Sequence, residues 1–141
     1  MAVNSIVKTD YPAYRNSITV ADDLAFSVGA VIGNTGISAD SNGKKIVKAG
    51  TPLYGDLLAR NTAFVKATTT PGEGGAAGTS NAVAIALKDV DVTAGNANGT
   101  ILIFGFVDLE KIDSTTAELI TDEVKTALPK ITFIKGSFDA E

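Results

Sequence analysis

The chain of 141 residues contains no histidine, no cysteine and no tryptophan. Without cysteine it has no disulfide, no thiolate metal ligand and no thiol nucleophile, and without histidine it lacks the commonest general base and metal ligand. Carboxylate pairs, a Ser-Lys pair or an all-oxygen cation site would be the remaining routes to chemistry. We therefore expect a protein that is not an enzyme and that uses no metal and no other cofactor.

Positive charge is also scarce. The formal net charge is −4, and the lysines and arginines are spread along the chain with no run longer than Lys44-Lys45, so the sequence offers no basic stripe for a phosphate backbone. The longest apolar run, "TILIFGFV" (residues 100–107), is too short to cross a bilayer, and the N-terminus lacks the apolar core of a signal peptide. We expect neither a nucleic-acid nor a membrane partner, and a protein that is made and kept in a cytoplasm.

The composition that remains is that of a globular domain. Hydrophobic residues make up 45% of the chain and charged residues 20%, and fourteen glycines favour strands and turns over long helices. The length is that of one domain with one core. We predict an extended N-terminal arm over residues 1–20, followed by a single β-rich domain over residues 21–141.

The arm contains a group of side chains that protein interfaces favour, namely Tyr11, Pro12, Tyr14 and Arg15. These residues are candidates for contact with a partner. The alternative interpretation is a frayed terminus with no binding role.

Alternating apolar residues predict the strands. "AFSVGAVIG" (residues 25–33) alternates large and small side chains, and Asn42-Gly43 predicts a hairpin turn before a short strand over residues 45–48. "AVAIAL" (residues 82–87) has one bulky face and one alanine face, on which another layer would pack closely. "TILIFGFVDL" (residues 100–109) is apolar on both faces, with Ile101, Ile103 and Val107 on one and Leu102, Phe104 and Phe106 on the other, which predicts a central strand covered on both sides.

Two loops carry residues in spacings that resemble known binding sites. Asp89, Asp91 and Gly95 resemble a calcium loop, but Ala94 and Thr100 stand where that loop needs glycine and glutamate. The sequence names no second partner for a catalytic carboxylate pair either, so a turn is favoured.

The other loop, residues 68–81, carries glycines in the spacing of a dinucleotide fingerprint. That fingerprint requires a strand before it and a helix after it, whereas Pro71 precedes this stretch and a strand-like segment follows. A solvated loop is favoured over nucleotide binding.

One amphipathic helix is predicted in the last third of the chain. Thr115 and Glu118 have capping-box spacing, Pro129 forbids continuation, and one face carries an apolar stripe of Ala117, Ile120, Val124 and Leu128. Such a stripe more often packs in the core than against a partner. A last strand is expected over residues 130–136. The assembled prediction is a mainly β (α+β) fold, a small barrel or sandwich with one helix.

From Leu24 to Gly136 the sequence resembles the decoration proteins of tailed-phage heads, that is, the lambda-type capsid cementing proteins and the related head fibre proteins. The resemblance rests most on residues 82–109, with an apolar strand, the "DVD" turn at Asp89–Asp91, and a second apolar strand that closes on Gly105-Phe106-Val107. These are packing and turn signatures, and they carry no active site with them.

The resemblance implies a β-tulip-like protomer that forms a homotrimer on the outside of the expanded capsid, at three-fold or quasi-three-fold positions of the virion. The N-terminal arm would then order against the major capsid protein. An alternative role is a head fibre or adhesion module that binds host-surface glycans.

Overall fold

A computed structural model describes residues 18–20 and 24–135. The four residues predicted to contact a partner, Tyr11, Pro12, Tyr14 and Arg15, lie outside the described residues. The last three residues of the predicted arm are described, and they belong to the main sheet. Ile18 is buried, with 1% of its surface exposed, and Thr19 and Val20 pair with a central strand.

Short strands dominate the described residues, and only two short α-helices accompany them. The strands are β1 (Thr19–Val20), β2 (Phe26–Ile32), β3 (Ile46–Val47), β4 (Pro52–Tyr54), β5 (Val65–Lys66), β6 (Thr69–Thr70), β7 (Thr79–Ser80), β8 (Ala84–Ala86), β9 (Val90–Asp91), β10 (Ala97–Asp108) and β11 (Ile131–Ile134). A 3₁₀ turn (Leu109–Lys111) leads to α1 (Ser114–Ala117) and α2 (Asp122–Ala127). The prediction of a mainly β fold is confirmed.

β10 is the organising strand of the main sheet. The order is β1-β10-β8-β4-β5, and β2 and β11 also pair with β10. β1 and β2 run antiparallel to β10 along one side, whereas β11 pairs parallel to it. A single bridge between Ile32 and Phe64 links β2 to the segment that enters β5, and within the described ranges the sheet does not close into a barrel.

Two hydrophobic clusters lie on opposite faces of β8. The first core contains Ile85 and Leu102 with the apolar residues of the helices and β11, and the second contains Ala84, Ala86 and Phe64 with residues of β2 and β4. The predicted layer on the alanine face is therefore present, because small side chains on that face of β8 leave room for the fully buried Phe64 ring. The sequence predicted one core, and the fold has two.

A β-bulge in β10 corrects the predicted faces of this strand. The register with β2 shifts between Leu102 and Phe104, and such an extra residue reverses which side chains point to each face. Before the bulge Ile101 lies in the second core, but after it Val107 lies in the first. The prediction that Ile101 and Val107 share a face was wrong, as was the prediction that both faces are covered along the whole strand.

The single predicted helix is in fact two short helices. Thr121 adopts an extended conformation, and its side-chain oxygen accepts a hydrogen bond from the amide of Val124 at 3.4 Å, so a new helix begins there. Threonine readily caps a helix in this way, and Asp122 and Glu123 favour the positive end of the new dipole. The expected capping box does not form, because the first helix begins after Asp113, which makes no side-chain cap, and Thr115 lies within the helix.

The apolar stripe of this region nevertheless packs in the first core as predicted, with Ile120, Val124 and Leu128 all buried. The helical region ends at Leu128, before Pro129, as expected. The break at Thr121 therefore divides the helical region in two, and the apolar side chains on both sides of the break remain buried.

The turn predicted at Asn42-Gly43 is present without the predicted hairpin, and the glycine-rich loop contains a short ribbon. Gly43 lies in a turn at φ +77°, but the strand after it, β3, pairs with β9 instead of folding back as a hairpin. This pairing places Val47 beside Val90 in the second core, and burial of both side chains outweighs local hairpin formation. The glycine-rich stretch forms the ribbon β6–β7, and β8 follows it where a dinucleotide fold would need a helix.

Candidate interaction surface

Exposed apolar side chains gather where β2 begins and β10 passes its bulge. Leu24 is 53% exposed, Phe26 57% and Phe104 45%, and Phe106 is partly exposed. Phe26 and Phe104 are direct partners in the register, so their side chains stand side by side on one face of the sheet. We call Leu24, Phe26, Phe104 and Phe106 the apolar surface.

The bulge explains why these phenylalanines are left uncovered. Beyond it, Val107 and its neighbour Ile131 turn toward the first core, and Phe104 and Phe106 consequently fall on the opposite face. The second core covers that face only along the earlier part of β10, at Ile101 and Ile103. The far end of the sheet is therefore packed on one side and bare on the other.

Gly105 allows the chain to approach this end of the sheet closely. Its φ is +147°, a conformation that side-chain-bearing residues rarely adopt, and a Cβ atom there would lie 3.3 Å from the Cα of Ala25. The backbone of residues 24–25 consequently lies against β10 at Gly105. Glycine at this position is thus part of the architecture of the apolar surface.

The free edge of β2 borders the apolar surface. The amide of Val31 donates to the carbonyl of Arg60, and the carbonyl of Val31 accepts from the amide of Phe64, so the peptide groups of Val31 point away from β10. In an antiparallel ladder this orientation repeats at every second residue, which directs the peptide groups of Gly29 and Ser27 outward as well. The Gly29 carbonyl accepts from the Arg60 guanidinium at 2.6 Å.

A groove of about 460 Å³ lies at the end of this edge, between Gly29, Leu58 and Arg60 on one side and Asn98 and Gly99 on the other. Leu58 is 97% exposed. Gly29 and Arg60 therefore belong both to this groove and to the edge of β2.

The aspartates of the "DVD" turn support the backbone. The Asp89 carboxylate accepts from the amide of Ala49 at 2.8 Å, and the Asp91 carboxylate accepts from the amide and hydroxyl of Thr93 at 2.9 and 2.6 Å. The segment between β8 and β10 is thus more than the predicted turn, because Val90 and Asp91 form β9 and pair with β3. Within residues 18–20 and 24–135, no three acidic side chains gather as a metal site would require.

Hydrogen bonds lower the pKa of two exposed carboxyl groups. Donation from the Thr93 hydroxyl and then the Thr93 amide lowers the pKa of Asp91, and Lys44 at 3.9 Å adds a weaker attraction. Donation from the amide of Lys44 and then that of Asn42 lowers the pKa of Asp40. Both carboxylates hold turns in place.

The apolar surface is not evident from the sequence. A strand with large apolar residues on both faces reads as fully buried, and nothing in its periodicity marks the extra residue at the bulge. The one local signal is Gly105 between two phenylalanines, since glycine within a strand often marks a bulge or a close approach of backbone. Among the described residues no helix is long and apolar enough to cross a membrane.

No protein-family model matches the sequence, and no curated protein matches it. The likeness to phage head decoration proteins therefore rests on the residues quoted for it above.

Proposed function

We propose that this protein is a structural decoration protein of a tailed-phage head, which binds the outer surface of the expanded capsid and has no catalytic activity of its own. The observation that carries the proposal is the exposed apolar face at the end of the sheet, because the largest contiguous apolar patch on a folded protein is often a functional contact surface. The resemblance over residues 24–136 supplies the class of partner, the major capsid protein.

The arrangement of the fold supports this role. The sheet is held by two cores that do not include Leu24, Phe26 or Phe104, so these side chains are free to contact a partner without loss of the fold. By resemblance, three copies form a homotrimer of β-tulip-like protomers at a three-fold position of the virion. Three linked copies would bind far more strongly than one, because the second and third contacts form at high effective concentration.

The N-terminal arm is the second proposed contact, through Tyr11, Pro12, Tyr14 and Arg15. The structure refines how this contact can be tested. Ile18 is fully buried in the first core and Thr19 pairs with Val107, so removal of residues 1–20 would damage the sheet itself. Removal of residues 1–17 leaves these contacts in place and isolates the contribution of the arm.

The test is co-sedimentation of the purified protein with expanded, undecorated capsids of its phage. We expect the full chain to bind in multiples of three per capsomer junction, and both Phe104→Ser and removal of residues 1–17 to weaken binding strongly. Leu57→Ser is the matched control, because Leu57 is a large apolar side chain with 36% of its surface exposed that belongs neither to the apolar surface nor to the groove beside Arg60. Failure of the folded full-length chain to bind would exclude the proposal.

A head fibre or adhesion module is the second candidate, and one observation favours it. Tyr54 is 48% exposed and borders a groove of about 490 Å³ together with Asp56 and Thr62. An aromatic ring beside polar groups is a common arrangement for sugar binding. Glycan-array binding that is abolished by Tyr54→Ser, without any binding to capsids, would establish this role instead.

A further inference from the structure

The outer edge of β2 presents peptide groups that have no assigned role in the fold. Because the peptide groups of Val31 point away from β10, those of Gly29 and Ser27 do so too. The Gly29 carbonyl accepts from Arg60, which leaves the amide and carbonyl of Ser27 and the amide of Gly29. No partner for these three groups lies within the part of the chain that the structure describes. Phe26, Ser27 and Gly29 are all exposed, so the edge is accessible.

An unpaired edge of this kind is a template for another strand. The loop of residues 60–64 covers the edge only from Val31 onward, where it pairs with the amide and carbonyl of Val31. The Arg60 side chain donates to the carbonyl of Gly29. Ser27 and Gly29 present donors and an acceptor about 7 Å apart along the strand, the repeat of an extended chain. The edge is thus open over the stretch that borders the apolar surface.

The side chains around the edge define what kind of strand would fit. Phe104 and Phe26 are cross-strand neighbours, and a strand added outside β2 would place its own residue next in that row. Aromatic and branched apolar residues pair best in such a row. Arg60 has no carboxylate within ion-pair distance among the described residues, so an acidic residue of the incoming strand would be favoured at that end.

The size of the apolar surface decides between a strand and a globular partner. Three or four partly exposed side chains offer at most a few hundred Å², the size of the largest patch on ordinary monomers. A stable interface between folded proteins buries about 800 Å² on each side. The apolar surface alone is too small for that, whereas an extended segment gains main-chain hydrogen bonds along the edge in addition to its apolar contacts.

We propose that the edge of β2 from Phe26 to Gly29 accepts an extended segment of the major capsid protein as an additional strand. This segment carries an apolar residue beside Phe26 and an acidic residue near Arg60. The inference rests on the proposed decoration function, and it names a contact in the folded domain that is separate from the N-terminal arm.

The first test uses a matched pair of variants in the full-length chain. Ser27→Pro removes the outward amide and fills the edge with the proline ring, but it spares the hydrogen bonds to β10, which the even-numbered residues of β2 make. Ser27→Thr keeps the amide and suits a strand. We expect Ser27→Pro to weaken binding to expanded capsids about tenfold or more, the value of one or two lost hydrogen bonds, and Ser27→Thr to bind like the unmodified chain.

The second test needs no variant, and it stands if Ser27→Pro fails to fold. Hydrogen exchange of residues 24–30 is measured on the protein alone and on the protein bound to expanded capsids. We expect the amides of Ser27 and Gly29 to exchange quickly in the free protein and to become strongly protected on the capsid. Residues 71–78 of the glycine-rich loop are the internal reference, and their exchange should not change.

The outcomes separate the two proposals. Absence of capsid binding by the unmodified chain would exclude the decoration function and this inference together. Binding with unchanged exchange at Ser27 and Gly29, or with equal affinity for Ser27→Pro, would overturn the inference alone. Protection already present in the free protein would also overturn it, and would assign the edge to residues 1–17 if it disappeared on their removal, or to a second copy if it increased with protein concentration.

Discussion

Phe26 on β2 lies directly opposite Phe104 on β10, and both rings remain about half exposed, at 57% and 45%. Cross-strand aromatic pairs usually stabilise a sheet by covering each other and the core beneath them. Here the pair lies beyond the end of the second core, so its rings cover little. The pairing positions the two rings for contact with something else.

The first prediction separates binding from folding with three phenylalanines. Phe26→Ala and Phe104→Ala should each lower the free energy of unfolding by less than about 1 kcal/mol, since both side chains are largely solvated. Phe64→Ala should lower it by about 3–5 kcal/mol, because Phe64 is fully buried in the second core. Urea unfolding at neutral pH measures all three. Equal losses would show that the apolar surface belongs to the core.

The second prediction concerns two glycines on adjacent strands. A Cβ atom at Gly99 would lie 2.6 Å from the Ile32 side chain and 2.7 Å from that of Val90, whereas at Gly29 its nearest neighbour would be 3.9 Å away. Gly99→Ala should therefore destabilise the fold by about 1–3 kcal/mol through overpacking, and Gly29→Ala should change stability by less than about 0.5 kcal/mol. Thermal unfolding of the two variants distinguishes these effects. A tolerated Gly99→Ala would mean that the second core is looser than described.

The third prediction tests which threonine begins a helix. Thr121 caps α2 through its side chain, and Thr115 makes no cap. Thr121→Ala should cost about 1 kcal/mol of unfolding free energy, the usual value of a lost helix cap, while Thr115→Ala should cost less than about 0.5 kcal/mol. The reverse order would support the single capped helix that the sequence predicts. Chemical denaturation of both variants, under the same conditions, decides between the two.

The fourth prediction concerns acid. Hydrogen bonds lower the pKa of Asp40 and Asp91 in the folded protein below the ordinary value of 3.8. Their contribution to stability is therefore present above that value and is lost as the pH falls through the lower folded pKa. The double variant Asp40→Asn with Asp91→Asn should lose less stability than the unmodified chain between pH 5 and pH 2, as measured by urea midpoints. If the urea midpoints of the two proteins fell in parallel with pH, Asp40 and Asp91 would not contribute to the acid sensitivity of the fold.

The sequence predicts those parts of the fold that follow from local pattern. The alanine face of β8 and the apolar stripe through Ile120 and Val124 indicate which side chains are buried, and the structure agrees. Alternation predicts the strand β2 itself, but only its second half, at Ala30 and Ile32, is buried. Proline at 129 stops a helix wherever it occurs, so that boundary was predictable too.

What the sequence could not predict depends on pairing between distant segments. The bulge in β10 is visible only once β2 is aligned with it, because the strand itself is apolar at every position around Ile103. Likewise β3 takes β9 as its partner for the sake of burial in the second core, not because of its own turn. Phe26 is exposed because the second core ends before it. The extent of that core depends on several segments and cannot be predicted from one strand.

The bulge also divides β10 into two parts that can evolve separately. Before the bulge, Ile101 is buried in the second core and Leu102 in the first, so these two positions have little freedom to vary. Beyond the bulge, Phe104 and Phe106 belong to neither cluster, and their replacement alters what the protein recognises while leaving its interior intact. Deletion of one residue at the bulge would do the opposite, since it would turn Val107 outward and the two phenylalanines inward. Related chains should therefore change positions 104 and 106 together with the surface that they bind, and should share the length of β10.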